Sequence, residues 1–389
     1  MKKILVYTII FWLSASTIAF GITNTNTLDS LYDEQSGQLD TRQIEQYINE
    51  LNNETSEFLP PLDFKTFINV FKTGEMGYSM EEILMAVVRF FISDVLLNAK
   101  LLGQLVVLAI ICGVMQNLEK AFNSDSVSSL AYYACYLVLI ILVVKSFSLA
   151  IGIGKETIGK MVEFMIALIP TLMALLASVG GFASVTVLDP IILASVQFMG
   201  NLVQNFILPL IFIISILSIV NNLSDTFQVT KLNSLIKQIC VWTLGFSLTI
   251  FVGIISIRST AVKTLDQMTL KTAKYAVDNF IPIVGKALSD AITTIAGYSL
   301  VLKDALSTVG LLALILTCIF PLLKIISLIF IYRIAAAIIE PVSDKKIVGC
   351  INDVGNSLTL VFASVLCVAI MLFIMVTIMA SSGKAAIMM

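Results

Sequence analysis

The sequence predicts an all-α fold, a polytopic transmembrane helix bundle of about seven or eight spans, and three observations predict it. Hydrophobic residues fill 58% of the 389 positions, charged residues only 13%, and mean hydropathy is +0.97. Soluble domains are nearer about 45–50% apolar and about 25% charged, so this chain has too little polar surface to face water on all sides. The apolar residues also gather into runs of about 20 residues or more, the length a helix needs to cross a hydrocarbon core about 30 Å thick. Charge is segregated as well. Residues 22–82 hold twelve Asp and Glu against Arg42, Lys65 and Lys72, a net −9 in a chain whose total is −2. The small net charge argues against a nucleic-acid partner, which needs a basic face. Histidine is absent, which excludes imidazole metal ligation and His-based acid–base catalysis.

Taken in order, residues 1–21 form a signal peptide: Lys2 and Lys3, an apolar run from Ile4 to Leu13, and Thr17-Ile18-Ala19 as a cleavage site. An uncleaved anchor is the alternative. Either way the residues that follow lie outside the cytoplasm. Residues 22–82 are an acidic extracytoplasmic segment, either a solvated spacer or a docking segment. Ile44, Ile48 and Leu51 give it a short amphipathic helix ahead of Pro60-Pro61. Residues 83–100 are an amphipathic interfacial helix with Leu84, Val87, Val88, Phe91, Val95 and Leu96 on one face, interrupted by Arg89, Asp94 and Lys100. The multi-pass domain is 101–389. Its spans are expected at 101–118, 128–151, 161–184, 191–220, 239–257, 306–331 and 357–380. Segment 280–302 either crosses or lies at the surface, because its apolar residues are mixed with Lys286, Asp290 and Asp304. With seven spans the C-terminus is cytoplasmic and 258–303 is an inside loop. With eight the C-terminus is outside.

An internal three-helix repeat, 160–257 and 272–378, is expected from self-comparison. Pro209-Leu210 followed by Ile213-Ile214-Ser215 recurs as Pro321-Leu322 followed by Ile325-Ile326-Ser327. Ile169-Pro170 recurs as Ile281-Pro282, and Gly245 through Thr249 resembles Gly355 through Thr359. Two such units in succession would be inverted, the plan of many secondary transporters.

Signals for catalysis are missing, and no cofactor is called for. Gly152-Ile153-Gly154-Lys155 has the outline of a phosphate-binding loop but lacks the upstream glycine and has Glu156 where Ser or Thr is needed. The six cysteines are scattered without a CxxC pair and read as small buried thiols. The expected protein is not an enzyme.

What is left is polar chemistry within apolar segments. Gln197, Asn201, Gln204 and Asn205 follow i, i+4, i+7, i+8 spacing, so the four amides form one helix stripe. Such a stripe lines a hydrophilic path or bonds neighbouring helices. Lys286 and Asp290 share a helix face and can neutralise each other within a bundle. Gly180 and Gly181 mark a hinge. Pro170, Pro209, Pro282 and Pro321 mark kinks or breaks where a discontinuous helix lines a cavity. Lys145 and Lys324 are expected to snorkel to the headgroups.

The chain resembles the stage III sporulation protein AE family of endospore-forming bacteria. The likeness lies in the signal peptide, acidic segment and polytopic bundle, in Leu108 to Leu118 (LAIICGVMQNL), in Ser178-Val179-Gly180-Gly181, and in Ile281-Pro282-Ile283-Val284-Gly285. The resemblance implies a non-enzymatic subunit of the channel-like complex joining mother cell and engulfed forespore, seated in the mother-cell membrane around the forespore. Its implied partners are a secretion-type ATPase, ring-forming membrane proteins and, indirectly, a forespore membrane protein. No catalytic residues carry over from the family. The alternative from the residues alone is a secondary transporter of a small solute, motivated by the repeat and the Lys286/Asp290 pair.

Overall fold

The structure is a computed structural model that describes residues 46–50, 52, 80–122, 126–178, 182–223, 229–280 and 285–381. The order is α1 (Met80–Leu97), α2 (Ala99–Phe122), α3 (Ser126–Ser178), α4 (Phe182–Leu202), a π-helical turn (Val203–Ile207), α5 (Leu208–Leu223), α6 (Thr230–Phe280), α7 (Gly285–Ile339) and α8 (Lys345–Ser381). A short helical stretch at 46–50 precedes them. The signal peptide and most of the acidic segment, Pro60-Pro61 included, lie outside the described residues.

Among the described residues six helices are long and apolar enough to cross a membrane, where the sequence predicted seven or eight spans. The difference arises because separate runs fuse. The run 128–151 and the run from 161 as far as Ser178 lie on one 53-residue helix, α3, and the runs 280–302 and 306–331 fall largely on the 55-residue α7. The inside loop expected from 258 onward is helix as far as Phe280. No glycine or proline stands between Ile254 and Phe280 to stop it.

Pro170 and Pro321 sit inside α3 and α7, and neither ends its helix. A proline removes one backbone hydrogen bond and costs about 3 kcal/mol in a helix interior. Packing on both sides offsets this: Leu168, Ile169, Leu172 and Met173 flank Pro170 and are buried, as are Phe320, Leu322 and Ile325 around Pro321. Pro209 does change the backbone. It cannot donate to the carbonyl four residues back, and the turn before it widens, with the Leu208 N–H bonding to the Val203 carbonyl five residues away.

Helix α8 is the centre. Its buried residues Ile347, Ile351, Val354, Leu358, Val361, Val365, Val368, Leu372, Met375 and Met379 recur every three or four positions, and α7, α3, α5 and α6 pack around them. Between membrane helices there is no hydrophobic gain, so association depends on fit and small residues. Gly200 of α4 is one such position, where a Cβ would fall 2.5 Å from Val162 Cγ2 of α3. Antiparallel pairing of α3 with α7 follows from two contacts: Ser146 shares a hydrogen bond with Tyr332, and Leu168 packs on Gly310.

One end of the bundle is closed by the turn between α7 and α8. A Cβ at Gly113 of α2 would lie 2.8 Å from the Val342 carbonyl oxygen. Beside it the Ser343 hydroxyl donates to the Ala109 carbonyl at 3.1 Å, and Gln116 Nε2 donates to Asp344 Oδ2 at 2.7 Å. The Asp344 carbonyl accepts the first helical N–H of α8, from Ile347, at 3.1 Å.

Candidate functional site

The amide stripe lies where α4 passes through the π turn into α5. The structure splits it. Gln204 is half-buried, and its Nε2 donates to the Lys155 carbonyl of α3 at 2.9 Å. Gly159 makes room, since a Cβ there would stand 3.1 Å from that nitrogen. Gln197, Asn201 and Asn205 are exposed, and Asn205 Nδ2 donates to Asn201 Oδ1 at 3.3 Å. Three of the four amides thus face out of the bundle rather than into a path through it. Lys155, Glu156 and Glu163 of α3 are exposed too, and Lys160 pairs with Glu156 at 3.0 Å. Together they make a charged and amide belt partway along the bundle.

Gly152 to Lys155 lies within α3, and Gly154 packs on Val361 and Val365 of α8. A helix interior has its N–H groups already bonded, so this segment cannot cradle phosphate. Lys145 and Lys324 are exposed, as snorkelling requires. Lys286 and Asp290 fall on α7, but their side chains lie outside those described, as do Pro282, Gly180 and Gly181 altogether. All six cysteines are free thiols, four of them buried.

A second polar cluster was not anticipated. Near the end closed by the α7–α8 turn, Asn222 Nδ2 of α5 donates to Asp353 Oδ2 of α8 at 3.0 Å and to the Ser218 carbonyl at 2.8 Å. Asn233 Nδ2 of α6 donates to the Ser218 hydroxyl at 2.7 Å. On the adjoining face Arg333 of α7 reaches Asn352 Oδ1 at 2.6 Å and Asn356 Oδ1 at 2.7 Å with its two terminal nitrogens. This network clamps α5, α6, α7 and α8 in register, because each amide would otherwise meet lipid or apolar side chains unpaired. Its sequence signal was present: Asn352, Asp353 and Asn356 at i, i+1, i+4 just ahead of an apolar run, and the Asn221-Asn222 pair closing another.

Toward the opposite end, the Lys303 ammonium of α7 is buried and donates to the Ala380 carbonyl in the last turn of α8 at 2.9 Å, with Asp304 at 3.6 Å. A cation there satisfies a carbonyl the helix itself leaves open. Arg258 of α6 is also buried and reaches Met173 Sδ of α3 at 3.6 Å. The helical stretch at 46–50 docks on the bundle itself. Ile48 is buried, the Tyr47 hydroxyl and the Thr317 hydroxyl of α7 are 2.8 Å apart, and the Tyr47 ring lies 4.6 Å from that of Phe164. None of these groups forms a catalytic constellation. They hold helices together or present polar atoms at the surface.

No solved structure matches the chain. A relative in Bacillus subtilis (strain 168), described as Stage III sporulation protein AE, is 37% identical over 366 residues, covering 94% of this chain and 92% of the relative. The profile of the family described as Stage III sporulation protein AE matches residues 62–383. That match takes in every helix from α1 to α8, the exposed amide belt and the Asn222–Asp353 clamp, and the chain belongs to the stage III sporulation protein AE family.

Proposed function

We propose that this multi-pass sporulation membrane protein is a non-enzymatic subunit of the complex linking mother cell and forespore, needed for forespore development after engulfment. Membership of a sporulation family across nearly the whole chain carries the reading. The outward turn of Gln197, Asn201 and Asn205 supports it. An amide stripe on the outside of a bundle does nothing for a path within that bundle, but it suits contact with a neighbouring subunit. The proposed partners are a secretion-type ATPase on the mother-cell side, ring-forming membrane proteins and, through them, a forespore membrane protein. The proposed location is the mother-cell membrane around the forespore.

Crosslinked purification of the tagged chain from sporulating cells tests this, with co-purifying proteins identified by mass spectrometry. Recovery with an ATPase and ring-forming proteins is the expected result. Recovery alone, as a monomer or homodimer, would overturn the complex and favour a self-sufficient transporter.

A further inference from the structure

Helix α8 is the centre of the packing, yet one of its sides reaches the surface, and with side chains unlike those of its neighbours. Each of α1 to α7 exposes large apolar residues, such as Leu137 on α3, Phe198 on α4 and Trp242 on α6. Helix α8 exposes none, although it is the most apolar of the six candidate spans. The side chains it exposes are Thr359, Ala363 and Thr377, besides Lys345 and Ser381 at its ends. Asn352, Asn356, Leu366 and Ile370 are half-buried on the same line, and the steps from 352 to 370 alternate four and three. They make one open seam along the helix.

Two helices border the seam. Arg333 of α7 lies along one edge, bonded to the Asn352 and Asn356 oxygens. On the other edge Cys367 Sγ donates to the Leu244 carbonyl of α6 at 4.0 Å. That edge is low, because Gly245 is exposed and a Cβ on it would meet nothing within 4 Å. Lipid is a poor cover for such a seam, since amides and hydroxyls find no partner in hydrocarbon and small residues are what lets two helices approach closely. A second copy of the chain is a good one. None of the seam residues named is charged, and amides and hydroxyls both donate and accept, so each can bond its own counterpart. Arg333 is held on the amide oxygens of its own chain. Copies of a membrane protein also share one orientation, so a two-fold axis between them stands along the bilayer normal. Their α8 helices then meet parallel and level, each residue opposite itself. Thr359 and Ala363, the smallest stretch of the seam, fall at the middle of Lys345–Ser381, where two crossing helices come closest.

We propose that two copies of this chain pair through the open seam of α8, with Ala363 against Ala363 at the closest approach. The Asn352 and Asn356 amides bond across the axis and fix the register, as a buried Asn does in a two-stranded coiled coil. The seam is bordered by α6 and α7, whereas the amide belt lies on α3 and α4, so pairing leaves the belt open to other subunits. The inference goes beyond the channel reading and holds whether or not the partners of that complex are recovered.

The test is disulfide crosslinking of single-cysteine versions of the full chain in membranes, with the six native cysteines replaced and copper phenanthroline as oxidant. Two differently tagged copies are expressed together. Thr359→Cys and Ala363→Cys probe the seam; Leu137→Cys on α3 and Ile239→Cys on α6, exposed elsewhere, are the controls. The seam sites are expected to give at least about tenfold more doubly tagged dimer than the controls, because a disulfide forms only between Cα atoms within about 7 Å. Seam yields no higher than the control yields would overturn the inference, as would seam adducts that carry a different protein in place of the second tag. Mass photometry of the unaltered chain, drawn from membranes into native-lipid nanodiscs, covers variants that misfold. Particles of two copies are expected there, and single-copy particles throughout would overturn the pairing. Ala363→Phe, which fills the point of closest approach, should lower the two-copy fraction at least about tenfold; an unchanged fraction would place the contact elsewhere and overturn the seam.

Discussion

Replacing Gln204 with leucine should weaken the fold, and replacing Gln197 with leucine should not, although the two amides belong to one stripe. Gln204 Nε2 lies 2.9 Å from the Lys155 carbonyl on another helix. Inter-helix hydrogen bonds of this kind average about 0.6 kcal/mol in double-mutant cycles, with an upper value of about 1.7 kcal/mol. The Lys155 carbonyl keeps its own helical bond after the change, so no acceptor is orphaned, and leucine fills a similar volume. The expected loss is therefore about 0.5–1.5 kcal/mol. Gln197 is exposed, and substitutions at such sites usually stay within about 0.5 kcal/mol. SDS-driven unfolding in mixed micelles, followed by tryptophan fluorescence or circular dichroism, reads both values. Sporulation efficiency supplies a second axis. If the outward amides face a neighbouring subunit, Gln197→Leu and Asn201→Leu lower sporulation at unchanged stability, whereas Gln204→Leu lowers stability as well. Equal destabilisation by Gln197→Leu and Gln204→Leu would refute the division of the stripe into a part that bonds α3 and a part that faces outward.

Gly200→Ala should cost about 1–3 kcal/mol, because its methyl would stand 2.5 Å from Val162 Cγ2 and a β-branched side chain in a helix has little room to rotate away; in the same unfolding assay Val162→Ala should recover part of that loss. Asp353→Ala should cost about 1–3 kcal/mol by removing the acceptor of one of the two Asn222 amide hydrogens, the bond to the Ser218 carbonyl remaining, while Asp353→Asn, which keeps an acceptor oxygen, should be close to neutral. Tyr47→Phe removes only the hydroxyl facing Thr317 and should cost about 1 kcal/mol, whereas Ile48→Ala empties a buried site and should cost about 2–4 kcal/mol. Limited proteolysis checks that pair, since both changes loosen the 46–50 stretch, Ile48→Ala the more.

The sequence by itself determined the class of the protein. Its apolar content, run lengths and segregated charge leave a helical membrane bundle as the only way to satisfy the backbone away from water. The short amphipathic helix around Ile48 was also legible, from spacing alone. Its docking onto Phe164 and Thr317 was not, since nothing in local periodicity says which distant helices a face will meet. Helix ends were misjudged for a related reason. A polar interruption such as Lys155-Glu156, or a proline such as Pro170 or Pro321, looks like a terminus when each segment is weighed alone. In the fold the side chains on either side are buried against neighbouring helices, and that packing carries the helix through. The amide stripe shows the same limit at a finer scale. Its spacing put four amides on one face, but only the widened turn imposed by Pro209 and the gap at Gly159 decided that Gln204 bonds α3 while its three companions face outward. Spacing along a chain is a local property, whereas burial depends on which surfaces a helix finds opposite it, and that is settled only when all the helices pack together.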